Sequence, residues 1–242
     1  MLSSTSNPLV RHWSALIKGK KYREQEGRVL VEGKNLIFDL LQQRRTKRLI
    51  VKEGCEIPEG LLYDEKVIIS EQVSKKLAST QNEEGVFAEM EMPEESSLEE
   101  KKWIVVCDRL QDPGNVGTII RSALGLSWEG VFFIEPCCDL FNDKALRAAK
   151  GATFFLPWRK GSWEDLYLLA EANDLPICIT SPEGKKLEGK KECAIVVLGN
   201  EAAGVSSSIQ GFETLSIPLH SQVESLNVGA AAAIMLYTLR GL

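Results

Sequence analysis

The sequence predicts an α/β protein in two parts, a smaller α/β domain over residues 1–95 and a parallel-sheet α/β domain over residues 103–242. Three observations carry that prediction. Past residue 102, short apolar runs alternate with amphipathic stretches, the pattern of a parallel sheet covered by helices on both faces. Before it lies an acidic, proline-containing segment, 89–102, with no sustained apolar period, which is expected to be a linker. Charge is divided as well: residues 1–48 hold eleven basic and four acidic side chains, net +7, and the remainder is net −12 within a total of −5.

In the first part, residues 7–21 and 33–43 are expected to be helices, the second because Leu36, Ile37, Leu40 and Leu41 recur at helical spacing. Residues 48–51 and 66–69 have strand composition, and 71–78 that of a short helix. In the second part, residues 103–107 are continuously apolar, as a strand buried on both faces must be. Residues 116–126 form an amphipathic helix whose core stripe is Val116, Ile119, Ile120, Ala123 and Leu124. A strand at 130–134, a helix at 142–150, a short strand at 153–156 and a helix at 163–173 follow. Strands at 176–179, 194–198 and 214–217 precede a closing helix over 225–239.

Composition excludes several classes. With 44% hydrophobic and 26% charged residues the chain can bury a core and is not disordered overall. It contains no apolar run near the ~18–20 residues that span a bilayer. Its first residues lack the basic-then-apolar build of a signal peptide, so a cytoplasmic protein is expected. The six cysteines include no Cys-x-x-Cys pair and fall mostly in apolar segments, the usage of buried free thiols. Two histidines make a histidine-based metal centre unexpected. The basic N-terminal segment on an acidic body fits either a polyanion-binding module or a solvated helix face.

Three segments carry candidate chemistry, each where a strand ends, which is where ligands bind in open parallel sheets. Residues 108–121 run from a buried strand through an Asp/Pro/Gly turn into a helix that Asn115 could cap, with Thr118, Arg121, Ser122 and Gly125 off the core face. Residues 198–206 run from a strand into a glycine-bounded loop holding Asn200 and Glu201. Neither a dinucleotide-binding Gly-x-Gly-x-x-Gly nor a P-loop is present, which counts against a nicotinamide oxidoreductase. Residues 217–229 place Ser225 and Asn227 at the start of the last helix, followed by Ala230 to Ala233, which permit close backbone approach. Taken singly, each has a plain structural alternative: a surface arginine, an ordinary connection, a capped core helix.

In this order and at these strand ends the three resemble the signature motifs of the SpoU/TrmH family of RNA ribose methyltransferases, in the SPOUT superfamily. The first is similar to the family's Asn-x-Gly-x-x-x-Arg, here Asn115, Gly117 and Arg121. The second is similar to Gly-x-Glu-x-x-Gly, here Gly199, Glu201 and Gly204. The third is similar to Ile-Pro…Glu-Ser-Leu-Asn-Val, here Ile217, Pro218 and Glu224 through Val228, and Gly229 stands where a serine is usual. Residues 144–152 also look like the family, and the resemblance covers 103–242. The first part resembles the family's ribosomal-protein-like RNA-binding domain through Ser6-Asn7-Pro8, the Lys20–Arg23 cluster and residues 29–33.

The resemblance implies a trefoil-knotted catalytic domain that dimerises through the knot and binds S-adenosylmethionine, without a metal. It implies cofactor contacts from Leu198, Gly199, Asn200, Gly204, Ile217, Leu219 and Leu226, and catalytic roles for Asn115, Arg121, Glu201, Ser225 and Asn227. RNA contacts are expected from Arg11, Lys18, Lys20, Lys21 and Arg23. The implied reaction is methylation of a ribose 2′-hydroxyl in structured RNA, with rRNA preferred and tRNA an alternative. Base methylation and a non-catalytic RNA-binding assembly factor stay open at this point.

Overall fold

The computed structural model describes residues 1–79, 84–200, 202–206 and 211–242. These residues fall into two compact units, Met1–Pro93 with Phe141–Gly151, and Glu94–Leu140 with Ala152–Leu242.

The first unit begins with α1 (Pro8–Lys18), whose N-terminus is closed by Asn7, its side chain accepting from the Leu9 N–H at 2.9 Å, with Pro8 in the first turn. The single helix expected over 7–21 is broken: Gly19 is extended, and α2 (Lys20–Glu26) starts beyond it. β1 (Arg28–Glu32), α3 (Lys34–Leu41), β2 (Thr46–Lys52), β3 (Tyr63–Ile69), α4 (Glu71–Leu77) and β4 (Val86–Glu91) follow. The sheet order is β1-β4-β2-β3, with β4 antiparallel to both neighbours and β2 parallel to β3. Val10, Trp13 and Leu16 of α1 pack with Val73 and Leu77 of α4 on Leu30, Ile50, Ile69 and Phe87.

Neither β1 nor β4 was anticipated, and β4 takes the first residues of the expected linker. Its acidic composition hides a strand because Glu89 points inward and is 1% exposed. The indole of Trp13 and the guanidinium of Arg48 each donate to its Oε2 at 2.9 Å, and His12 Nε2 lies 3.5 Å from Oε1. Burial pushes the Glu89 carboxyl up, but those bonds and charges outweigh it and hold the group below the ordinary glutamate value. The remainder of the segment is also ordered: Leu98 is fully buried, and Asn173 donates to its carbonyl at 2.9 Å.

The second unit is built on β5 (Trp103–Asp108), α5 (Pro113–Gly125), β6 (Gly130–Ile134), a 3-10 turn (Ala152–Phe154), β7 (Trp158–Gly161), α7 (Trp163–Ala172), β8 (Ile177–Lys186), β9 (Ala194–Leu198), β10 (Glu213–Ser216) and α8 (Val228–Arg240). α6 (Asp143–Ala149), capped by Asn142, lies between β6 and the turn in sequence but belongs to the first unit. The strand expected at 153–156 is instead the turn, with β7 just beyond it. The sheet order is β10-β8-β9-β5-β6-β7, and every pairing is parallel. Leu166 and Leu169 of α7 pack on one face with Ile104, Val106, Phe132 and Val197. α8 packs on α5, and the Trp128 indole donates to the Leu236 carbonyl at 3.2 Å.

From β5 the chain proceeds outward to β6 and β7, whereas β9, β8 and β10 lie on the other side. The order reverses between β5 and β9, and a crevice opens beyond the carboxyl ends of such a pair. All six cysteines are free; Cys107 and Cys178 are buried, whereas Cys55, Cys137, Cys138 and Cys193 are only partly so, against the expectation for all six. Among the described residues no helix is long and apolar enough to cross a membrane.

Candidate active site

α5 starts earlier than its apolar stripe suggests. Asp112, not Asn115, is its cap, accepting from the Asn115 N–H at 2.8 Å, and Pro113 occupies the first turn. Asn115 therefore sits inside the helix, and its side-chain oxygen accepts from Asn227 Nδ2 at 2.9 Å. Val116, Ile119, Ile120 and Ala123 are buried as the stripe requires, but Leu124 is 36% exposed. Arg121 lies six residues beyond Asn115, about 9 Å along the axis at ~1.5 Å per residue. It is exposed, with no hydrogen bond or ion pair among the described residues.

Leu198 ends β9 and is 1% exposed, so its side chain belongs to the core rather than to the crevice. Gly199 and Gly204 close the following loop. Asn200 N–H donates to the Gly204 carbonyl at 3.0 Å, and the Gly204 N–H returns to Asn200 at 2.8 Å. A Cβ on Gly199 would lie 2.6 Å from the Gly204 carbonyl carbon, and Gly204 has φ +67°, so both positions require glycine. The Asn200 side chain accepts from the Ala202 and Ala203 N–H groups at 3.0 Å and donates to the Arg109 carbonyl at 3.1 Å. Glu201 lies outside the described residues.

α8 starts at Val228, three residues later than expected, and its cap is Asn227. Asn227 Oδ1 accepts from the Gly229 N–H at 2.9 Å and the Ala230 N–H at 3.3 Å. Because two backbone donors hold Oδ1, Nδ2 must be the atom facing Asn115, which fixes the amide orientation. Ser225 is exposed and stands before the helix rather than in it.

Between these loops lies an open cleft of about 320 Å³. Of the residues expected at the cofactor, it is lined by Gly199, Asn200, Gly204, Ile217, Leu219 and Leu226, and not by Leu198. Ser225, expected to be catalytic, and Glu224 also line it; Asn115, Arg121 and Asn227 do not. Its apolar wall includes Leu215, Val228 and Met235. The N–H groups of Ile217, Leu219 and Leu226 have no partner among the described residues. Thr180, Ser181 and Pro182 of β8 also line the cleft and were not anticipated, since β8 runs seven residues past the apolar run that marked it.

Two further residues the motifs do not single out are Asp108 and Ser206. Asp108 ends β5 with 0% exposure, and its carboxylate accepts from the Ser206 N–H and, at 2.7 Å, from the Ser206 hydroxyl. The only signal was an acidic residue closing a run otherwise apolar. In the first unit, Arg11, Lys18, Lys20 and Lys21 are exposed. Arg23 corrects the expectation that it faces RNA: it is 3% exposed and donates to the carbonyls of Leu16 at 2.6 Å and Ile17 at 3.0 Å, satisfying the end of α1.

Residues 102–237 match the SpoU rRNA Methylase family, and residues 7–88 match the MRM3-like substrate binding domain. The 23S rRNA (guanosine(2553)-2′-O)-methyltransferase RlmP of Bacillus subtilis (strain 168) is 31% identical over 248 residues, covering 99% of both chains. A crystal structure of an RNA 2′-O ribose methyltransferase superposes with a TM-score of 0.81 at 28% identity, covering 98% of this chain and 96% of that one. An AdoMet-bound rRNA methyltransferase from Sinorhizobium meliloti gives 0.82 at 26% identity, covering 98% and 95%. With a matched family spanning more than half its length and a full-length relative above 30% identity, this chain belongs to the SpoU rRNA methylase family.

Proposed function

We infer that the chain transfers a methyl group from S-adenosylmethionine to a ribose 2′-hydroxyl of ribosomal RNA. The observation that carries this is the meeting of three distant segments at one end of the sheet. The loops after β9 and β10 line a single cleft, and the Asn115–Asn227 bond joins the start of α5 to the start of α8 beside it.

The cleft suits the cofactor. Its volume falls in the range of small-molecule sites, its wall is apolar, and unpaired backbone N–H groups can recognise the edge of a purine. Bound there, S-adenosylmethionine supplies an electrophilic methyl on a sulfonium. The residues expected to hold it are Gly199, Asn200, Gly204, Ile217, Leu219 and Leu226, with Leu198 setting the end of β9.

The protein's own task is to align the 2′-oxygen and ease loss of its proton. A guanidinium stays protonated, so Arg121 acts by charge: it holds a backbone phosphate and stabilises the developing oxyanion. Asn115 and Asn227 brace each other and orient the ribose, and Ser225, with Glu201, completes the set. Arg11, Lys18, Lys20 and Lys21 supply phosphate contacts for the RNA. The partly exposed Ile234 (41%) and Tyr237 (52%) of α8, with Leu124, form the face through which two copies pair.

The test is methyl transfer from labelled S-adenosylmethionine to unmodified rRNA and tRNA pools, followed by alkaline digestion. Label retained in alkali-resistant dinucleotides from rRNA is the expected result. Label in mononucleotides would assign base methylation, and label confined to tRNA would change the substrate.

A further inference from the structure

The loop that carries Gly199, Asn200 and Gly204 into the cleft is held at both ends by two consecutive residues, the last of β5 and the one that follows it. At its start, Asn200 Nδ2 donates to the carbonyl of Arg109. At its end, the Ser206 N–H and hydroxyl donate to the carboxylate of Asp108. The Ser206 hydroxyl also accepts from the Trp163 indole at 2.8 Å, so it is engaged on both sides. Arg109 Nε lies 3.4 Å from Asp108 Oδ1, an ion pair without hydrogen-bond alignment, beside a carboxylate with no access to water. Arg109 is itself left-handed, φ +55°, a conformation a side chain of its size adopts only when the surroundings impose it. That turn places the carboxylate of one residue and the carbonyl of the next on the same loop.

A buried ion pair is weak evidence of a folding role, because replacing the whole pair by well-packed apolar residues is often neutral or stabilising, although removing one member alone is costly. Here the charge is spent on two donors from a loop of the cleft. We propose that Asp108 and Arg109, with Ser206 as partner, are positioning residues that hold Gly199, Asn200 and Gly204 in place for the cofactor; this rests on the functional reading above. They touch no reacting atom. Their loss therefore raises the cofactor's Kd and KM and leaves the rate at saturating cofactor near that of the parent.

The experiment is direct calorimetric titration of the full-length protein with S-adenosylmethionine, in parallel with steady-state transfer, for Asp108→Asn, Ser206→Ala and Ser206→Thr. Asn keeps the shape of Asp108 but loses the charge-assisted bonds, and an about tenfold weaker Kd is expected. Ser206→Ala should weaken it several-fold, and Ser206→Thr, which keeps the hydroxyl, should restore it. Both Asp108→Asn and Ser206→Ala are expected to melt a few degrees below the parent, because each leaves a buried partner short of a bond. Titrations are therefore run where both are fully folded. A raised Kd at unchanged kcat is what a merely structural role would not produce. Unchanged Kd in both variants would overturn the proposal, as would a fall in kcat with Kd intact. If the parent protein binds no S-adenosylmethionine, the functional reading itself fails and this inference falls with it.

Discussion

Asn227 does two jobs with one amide: its oxygen caps α8 through Gly229 and Ala230, and its nitrogen donates to Asn115 at 2.9 Å, 112 residues away. The two functions can be separated. Asn227→Ser keeps a capping oxygen and loses the amide N–H that reaches Asn115, whereas Asn227→Ala loses both. We expect Ser to leave the melting temperature nearly unchanged while transfer falls about tenfold or more. Ala should add a stability loss of about 1 kcal/mol. Thermal unfolding together with single-turnover transfer distinguishes these; equal activity of the Ser variant and the parent would remove Asn227 from the site.

Arg121 is exposed, and nothing among the described residues holds it, so its removal should cost the fold little. Arg121→Ala is expected to lower transfer by about a hundredfold or more, as loss of a preorganised charge does, while S-adenosylmethionine still binds. Comparable loss of both would mean that the residue supports the cleft instead.

Arg23 and its neighbours should behave oppositely. Replacing Lys18, Lys20 and Lys21 together by Ala should weaken RNA binding and reduce the slope of log affinity against log salt by about 2 to 3, with an unchanged melting temperature. Arg23→Ala strips two carbonyls of α1 of their donor and should destabilise by about 1–3 kcal/mol without a specific change in the salt slope. Filter binding across a salt series, set beside denaturant melts, tests the pair.

Glu89 links acid stability to the first unit. Its folded-state pKa is depressed below 4.5, so its contribution is complete above the unfolded value and is lost as pH falls through the lower folded one. Glu89→Gln should cost about 2 kcal/mol near neutrality, and the gap should close in acid as the parent's carboxylate protonates. A constant gap between denaturation midpoints from pH 7 to pH 3 would contradict this.

Deleting residues 1–95 does not cleanly isolate a catalytic domain. Ala145, Leu146 and Ala149 of α6 are buried, and Gly151 packs close to Leu36 and Leu40, all within the first unit. The truncated chain should expose this surface and bind a hydrophobic dye where the full chain does not. Absence of extra dye binding would show that α6 finds another cover.

Periodicity and end signals by themselves determined most of the second unit. Continuous apolar runs such as 103–107 and 194–198, too short for helices and rich in β-branched residues, have the character of strands buried on both faces, and three polar segments after such strands marked the site. The local pattern misled where a partner far along the chain decides the outcome. β4 looks acidic and linker-like until Trp13 and Arg48 satisfy Glu89. Arg23 looks like a surface cation until α1 turns its last carbonyls onto it. The cap of α5 passes from Asn115 to Asp112, and Asp108 acquires a partner in Ser206. Sequence spacing governs which face of an element is apolar, because that depends on neighbours three or four residues away. Which buried polar atom is satisfied depends on what the fold brings within about 3 Å, and only the tertiary structure decides that.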